Sequence, residues 1–202
     1  MNQSIKRVLF GFGIAIFLLV GYVSVFGIYP RFFDIEWDEE VQLHDGKIIV
    51  VHVKRTFERL NSFRRNDGMY RDTEIAFDAG PPWGRYHRKF VRYEVDMIES
   101  LNGNWYLALG VTTGTPPEKV VDSSFPVLIL GHDGAAHSAK SWEEIPDFPR
   151  LNIMPLTPDS NGVSQFANSL LTWDMKMLHW RKYPRAAGDD GTITQRHSPR
   201  EK

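Results

Sequence analysis

The sequence predicts a mainly β, antiparallel and sandwich-like domain behind one N-terminal transmembrane helix, closed by a C-terminal amphipathic helix. Three observations predict it. Val8 to Tyr29 is an uncharged run of 22 residues, and a bilayer core takes about 20 residues of helix. From Val41 to Leu130, apolar runs and apolar–polar alternation are broken by Asp-Gly and Asn-Gly pairs, the pattern of strands joined by tight turns. From Val163 the apolar spacing changes to alternating fours and threes, which is helical.

The apolar run divides the chain. Residues 1–7 form a cytoplasmic N-terminus, 8–29 the transmembrane helix, and 30–40 a juxtamembrane linker; 41–185 form the β-rich extracytoplasmic domain, and 186–202 a polar, disordered tail. A cleaved signal peptide has an apolar core of about 7–15 residues and a small-residue cleavage site. Here Phe17, Leu18, Leu19, Val20 and Tyr22 extend the core with bulky side chains, and Val25 and Gly27 make a poor cleavage pair. A lasting anchor is the better reading. Lys6 and Arg7 precede the span, and Arg31 alone follows it until Lys47. The positive-inside rule then leaves the bulk of the chain outside the cytoplasm. In a bacterium this is an inner-membrane protein with a periplasmic domain. Gly11, Gly13 and Ala15 form a small-residue face, but glycine is common in membrane helices.

Of 202 residues, about 170 lie beyond the anchor, enough for one domain with a core of its own. The formal charge of −1 includes Lys6 and Arg7; the remainder is near −3. Such a field does not hold nucleic acid. The chain has no cysteine, which excludes thiol catalysis, disulfides, a lipid-modified cysteine and cysteine-based zinc sites.

Taken in order, residues 30–40 (PRFFDIEWDEE) mix aromatic and acidic residues and read as a solvated linker. Val41 to Phe57 reads as a hairpin about Asp45-Gly46, a pair that tolerates the positive φ of a two-residue turn. Glu58 to Arg71 is polar and basic, an exposed loop. Thr73, Ile75 and Phe77 alternate as a strand that ends at the Gly80-Pro81-Pro82 break. Arg85 to Met97 reads as one strand with Val91, Tyr93, Val95 and Met97 inward. Asn102-Gly103 turns it into Trp105–Val111, apolar on both faces and so central. Thr112 to Pro117 is loop, Phe125–Leu130 a buried run, and His132–Lys140 loop again. Ser141-Trp142 starts a helical turn, and the prolines at 146, 149, 155 and 158 mark irregular chain. Phe166, Leu170, Trp173, Met177 and Trp180 make the helical stripe; Asp159, Ser160 or Ser164 caps it, and Pro184 stops it. A short strand fits Thr192–Thr194.

The hairpin Trp37-Asp38-Glu39-Glu40-Val41-Gln42-Leu43-His44-Asp45-Gly46-Lys47 resembles one in a broad group of uncharacterised proteobacterial membrane-anchored and lipid-anchored envelope proteins. They share a tryptophan, acidic residues and a Leu-His-Asp-Gly turn before a β-branched return strand. Pro126–Leu130 and the Trp142–Asn152 segment are similar more loosely. The resemblance implies a β-rich envelope domain and carries no activity or catalytic residues.

Two constellations stand out. His132-Asp133-Gly134-Ala135-Ala136-His137 places two imidazoles and a carboxylate within six positions, and His44 supplies a further ligand if the two His-Asp-Gly turns meet. The metal set is then His44, His132, Asp133 and His137. Against it, Asp-Gly after a strand is ordinary turn chemistry, the weightier reading. The second is the basic–aromatic stretch with Trp83, Arg85, Arg88, Lys89 and Arg92, a surface for an anionic ligand. Charges at a strand edge that guard against aggregation are its weightier reading. There is no G-x-S-x-G, H-E-x-x-H or P-loop, and no cofactor is expected. The expected partners are the membrane, through one span, and an envelope protein, with no nucleic acid. The expected function is a non-enzymatic envelope accessory or interaction protein. The alternatives are a periplasmic metal-dependent hydrolase using the His-Asp-Gly turns and a small subunit of a larger membrane complex.

Overall fold

The computed structural model describes residues 12–22, 31–59, 68–112, 114–148, 151–154 and 167–182. Alternation builds the first sheet from β1 (Phe32–Gln42), β2 (Ile48–Arg59), β3 (Gly68–Gly80) and β4 (Gly84–Val91). A second sheet follows from β5 (Tyr93–Leu101), β6 (Asn104–Val111), β7 (Val127–Leu130) and β8 (Ala136–Ser138). A 3-10 turn (Trp142–Glu144), the two-residue β9 (Leu170–Leu171) and a C-terminal helix complete it. That helix is α2 (Trp173–Lys182), and α1 is the helical stretch 12–22. The sheet orders are β4-β3-β2-β1-β9 and β5-β6-β7-β8. All pairs are antiparallel except β1 with β9.

The mainly β class therefore holds, with two sheets facing each other across a shared core. Ile35, Trp37, Val41, Val53, Ile75, Phe77 and Phe90 of the first sheet pack with Val95, Trp105, Leu107 and Leu130 of the second. The Trp105 ring lies 4.9 Å from that of Phe77, and its Nε1–H donates to the Ala79 carbonyl. Fully burying one such side chain stabilises by about 1.5–3 kcal/mol. A smaller cluster about Met97, Tyr106, Val127 and Phe148 covers the outer face of the second sheet.

The segment 30–40 is mostly strand, not linker. Ile35, Trp37, Glu39 and Val41 fall two apart and all face inward, while the carboxylates between them face solvent. Arg85–Met97 is two strands. Arg92 has φ of 64° and Val91 is exposed, so the inward register is Phe90 then Tyr93. There the chain doubles back into the second sheet: Thr73 Oγ1 bonds the Tyr93 carbonyl, while Trp105, opposite Ser100, reaches Ala79. The loop at Glu58–Arg71 is narrower than expected, because β2 runs to Arg59 and β3 starts at Gly68. His132–Lys140 contains the short β8.

The helical stripe begins late. Leu170 is exposed on β9, beside Asp38, and Trp173, Lys176 and Trp180 carry the buried face of α2. Thr172 Oγ1 accepts from the Met175 N–H and caps it. The proposed caps Asp159, Ser160 and Ser164 lie outside the described residues, as do Phe166, Pro184 and the tail.

Among the described residues no helix is long and apolar enough to cross a membrane. At 1.5 Å per residue α1 covers about 16 Å, against about 30 Å of hydrocarbon. Both ends of the Val8–Tyr29 run lie outside the described residues. Within α1, Phe12, Ile14, Ile16, Phe17, Leu18, Leu19, Val20 and Tyr22 are all exposed.

Candidate functional site

The four hairpin and loop turns at 44–46, 81–83, 102–103 and 132–134 gather at the end of the sandwich away from residue 32. His132 lies against Gly103, Pro82 against Gly134, and Trp83 Nε1 donates to the Gly131 carbonyl at 2.8 Å. Both His-Asp-Gly turns are real turns, with Gly46 at φ 87° and Gly134 at φ 83°. Each is tied to its own partner. The His44 backbone N–H and ring Nδ1 both meet Glu99 Oε2, at 3.0 and 3.1 Å. The His132 backbone N–H and Nδ1 both meet Asn104 Oδ1, at 2.8 and 3.1 Å. Asp133 accepts from the Ala135 N–H, and His137 lies 3.9 Å from Glu144. Each member of the expected metal set is thus held by a different partner. Among the described residues no three of His, Asp and Glu form a metal-holding group.

The basic stretch is likewise neutralised by the strand next to it. On the outer face of the first sheet, Arg85 sits opposite Asp78, His87 bonds Glu74 at 2.6 Å, and Lys89 bonds Asp72 at 3.3 Å. Arg88 points the other way, over the Phe90 ring and 3.8 Å from Glu118. The Arg92 backbone N–H donates to Asp72. Trp83 is edge-on to Tyr86. The face repeats this order: acidic β1, basic β2, acidic β3, basic β4, with Asp38–His52 at 2.9 Å and Asp34–Lys54 at 3.1 Å. Alternating columns favour cross-strand pairs and leave no broad cationic field.

Two features were missed. The first is a buried polar centre where the sheets, the 151–154 segment and α2 meet. Lys176 and Glu39 are both fully buried, 3.5 Å apart. The ammonium also donates to the Glu40 and Asn152 carbonyls, using its three N–H groups, and the Trp173 and Trp180 rings flank it at 5.3 and 5.7 Å. Glu39 accepts from Trp37 Nε1 at 2.9 Å and from the Met154 N–H. Asn152 carries the network on: its side-chain oxygen accepts from the Ile98 N–H, and its Nδ2 donates to the Ile98 carbonyl and to Glu99. Burial pushes the Glu99 carboxyl above its ordinary value, an effect only partly offset by the bonds from His44. The signal was present: Glu39 falls in the inward register of its strand, and Lys176 falls on the apolar stripe of its helix.

The second is a pocket of about 510 Å³ at the C-terminal end of β6. It exists because β7 is short. Val127–Leu130 pairs only with Trp105–Ala108, and Pro126 adds one carbonyl bond from the Leu109 N–H at 2.8 Å. Pro126 has no N–H to extend the ladder. β6 runs on through Gly110 and Val111 while the 114–126 segment arcs away. That segment is held by the Tyr93 hydroxyl, which donates to the Glu118 carbonyl and accepts from the Val120 N–H, and by Asp122 N–H to Ser138. Ala108, Leu109, Val111, Pro116, Val121 and Leu151 form its apolar lining, with Tyr93, Thr115 and Lys119 among the polar groups. Gly110 fits where a Cβ would approach Asp96 Oδ2 to 3.2 Å. A smaller cavity of about 420 Å³ shares Lys119 and Val121 with it.

Comparison with family models, with curated proteins and with solved structures finds no match to this chain.

Proposed function

We propose that this chain is a single-pass, membrane-anchored accessory protein of the bacterial envelope, with its β-sandwich in the periplasm, that binds an apolar group rather than transforming a substrate. The pocket of about 510 Å³ carries this reading. Its size lies within the roughly 300–1,000 Å³ of small-molecule sites, and its apolar lining with a few polar groups matches their usual chemistry. The anchor is supported by the uncharged Val8–Tyr29 run and by α1, apolar on every side and uncovered by the described fold. The metal-dependent hydrolase alternative has no convergent ligand set among the described residues. His44 meets Glu99 and the Phe148 ring, not a hydroxyl nucleophile.

The test is purification of the full chain in mild detergent, followed by native mass spectrometry. The wild type is expected to carry a bound molecule that a Thr115→Trp variant, with an indole placed in the pocket, releases. A stoichiometric membrane protein that stays with the pocket-filled variant overturns this reading in favour of the complex subunit.

A further inference from the structure

The two ends of the sandwich differ, and the strand registers show how. Asp34 of β1 pairs with Thr56 of β2, Thr56 with Asp72 of β3, and Asp72 with Val91 of β4. Two residues later, Tyr93 of β5 pairs with Val111 of β6. One row thus crosses both sheets, from the start of the first strand to the end of β6. Residue 34 lies five positions past Tyr29, where the apolar run ends. Val111 lines the pocket. The pocket is therefore at the end of the domain where the chain enters from the anchor, and the four turns are at the other.

The side chains at this end suit a lipid surface. Phe32, Val91 and Val111 are 51%, 39% and 54% exposed. Arg31, Arg59, Arg71 and Arg92 lie at the same end, Arg31 and Arg71 both paired with Glu58. Arg59 lies over the Phe33 ring at 4.2 Å, and Arg31 at 5.4 Å from the Phe32 ring. Such aromatic–guanidinium pairs keep an apolar body beside a charged head, the arrangement favoured at headgroup depth.

Resting on the anchored reading above, we infer that the pocket at the end of β6 takes one acyl chain of a phospholipid from the bilayer in which the protein is anchored. The occupant follows from position as much as from lining. The site joins Ala108, Leu109, Pro116, Val121 and Leu151 with Asp96 and Lys119, has Val111 at its exposed margin, and lies at the end of the sandwich next to the anchor. Each methylene moved from water into such a site contributes about 0.8 kcal/mol, but a chain leaving the bilayer core gains none of this. Occupancy is then set by fit and by contacts of the rim with the headgroup. The occupied pocket fixes the orientation of the sandwich on the membrane.

The chain has no cysteine, so a single introduced cysteine reports one position. The full-length protein with Val111→Cys, and separately with Asp133→Cys at the turn end, is labelled with a small fluorophore. Each is reconstituted into phosphatidylcholine vesicles doped with a phospholipid carrying a nitroxide on its acyl chain. Flotation with the vesicles is read on the same samples. The expected result is quenching several-fold stronger at Val111→Cys than at Asp133→Cys, and a Thr115→Trp change in the Val111→Cys background that lowers it. Ser123→Trp fills the pocket from another side and is expected to do the same, with circular dichroism confirming that both variants fold. A protein that floats but is quenched equally at both positions, or whose Val111→Cys quenching survives both pocket-filling variants, overturns this inference and leaves the anchor standing. Failure to float overturns the anchored reading and this inference with it.

Discussion

At the level of single residues, the centre of the molecule depends on a charge pair enclosed by the core. Lys176→Met leaves the Glu39 carboxylate buried without its cation, and breaking one partner of such a pair costs about 3–5 kcal/mol. Glu39→Leu combined with Lys176→Met is expected to recover a good part of that loss. Urea titration at unchanged m-value measures both; a single variant that loses under about 1 kcal/mol contradicts the enclosed pair. Glu99 gives a pH signature. Burial raises its pKa above the ordinary 4.5, so the folded chain holds this proton longer than the unfolded one does. Ionised Glu99 therefore costs stability, and the cost grows as pH climbs from 4.5 through the higher folded value. Below the histidine range, near about pH 6.5, the stability of the wild type relative to Glu99→Gln should fall with rising pH. A relative stability that rises instead shows that the His44 bonds outweigh desolvation. Glu39 could be read as inward from its place two residues after Trp37 and two before Val41. Its partner could not, because the 137 residues separating Lys176 from it carry no pattern linking them.

Among the elements, those with a strong period were legible and those set by tertiary contact were not. The hairpin about Asp45-Gly46 and the central strand β6 follow from alternation and turn chemistry alone. The break at Arg92 does not: Arg85 to Met97 reads as one alternating run, and only the shared core requires a residue at φ 64° to redirect it. The pocket was hidden for a related reason. Its cause is the mismatch between an eight-residue β6 and a four-residue β7, and strand ends are poorly marked in a sequence apolar on both sides. Asn152 replaces a strand along the open edge of β5 by bonding both backbone groups of Ile98. Asn152→Leu strands both groups in a buried setting, and each unsatisfied group costs about 1–3 kcal/mol. The expected readout is a destabilisation of about 2–4 kcal/mol with faster hydrogen exchange at the Ile98 amide. Unchanged exchange there shows that the edge is protected by something other than this amide.

For the whole molecule, the two-ended arrangement makes the proposed anchor separable from the fold. No side chain of α1 is buried against the sandwich, and β1 starts at Phe32. A chain starting at residue 31 is expected to leave the membrane fraction and still unfold cooperatively on heating; loss of cooperative unfolding contradicts that separation. With strands of 11 to 13 residues at about 3.3 Å each, the His-Asp-Gly turns stand roughly 35–45 Å from the end at which β1 begins. Joining the first strand to the last also has a consequence for synthesis. Glu39 leaves the ribosome 137 residues before the lysine that neutralises it. At about 5–20 residues per second this is a wait of about 7–27 s. Through that interval the Glu39 carboxylate lacks the lysine that meets it in the folded core, and the β1 edge lacks β9.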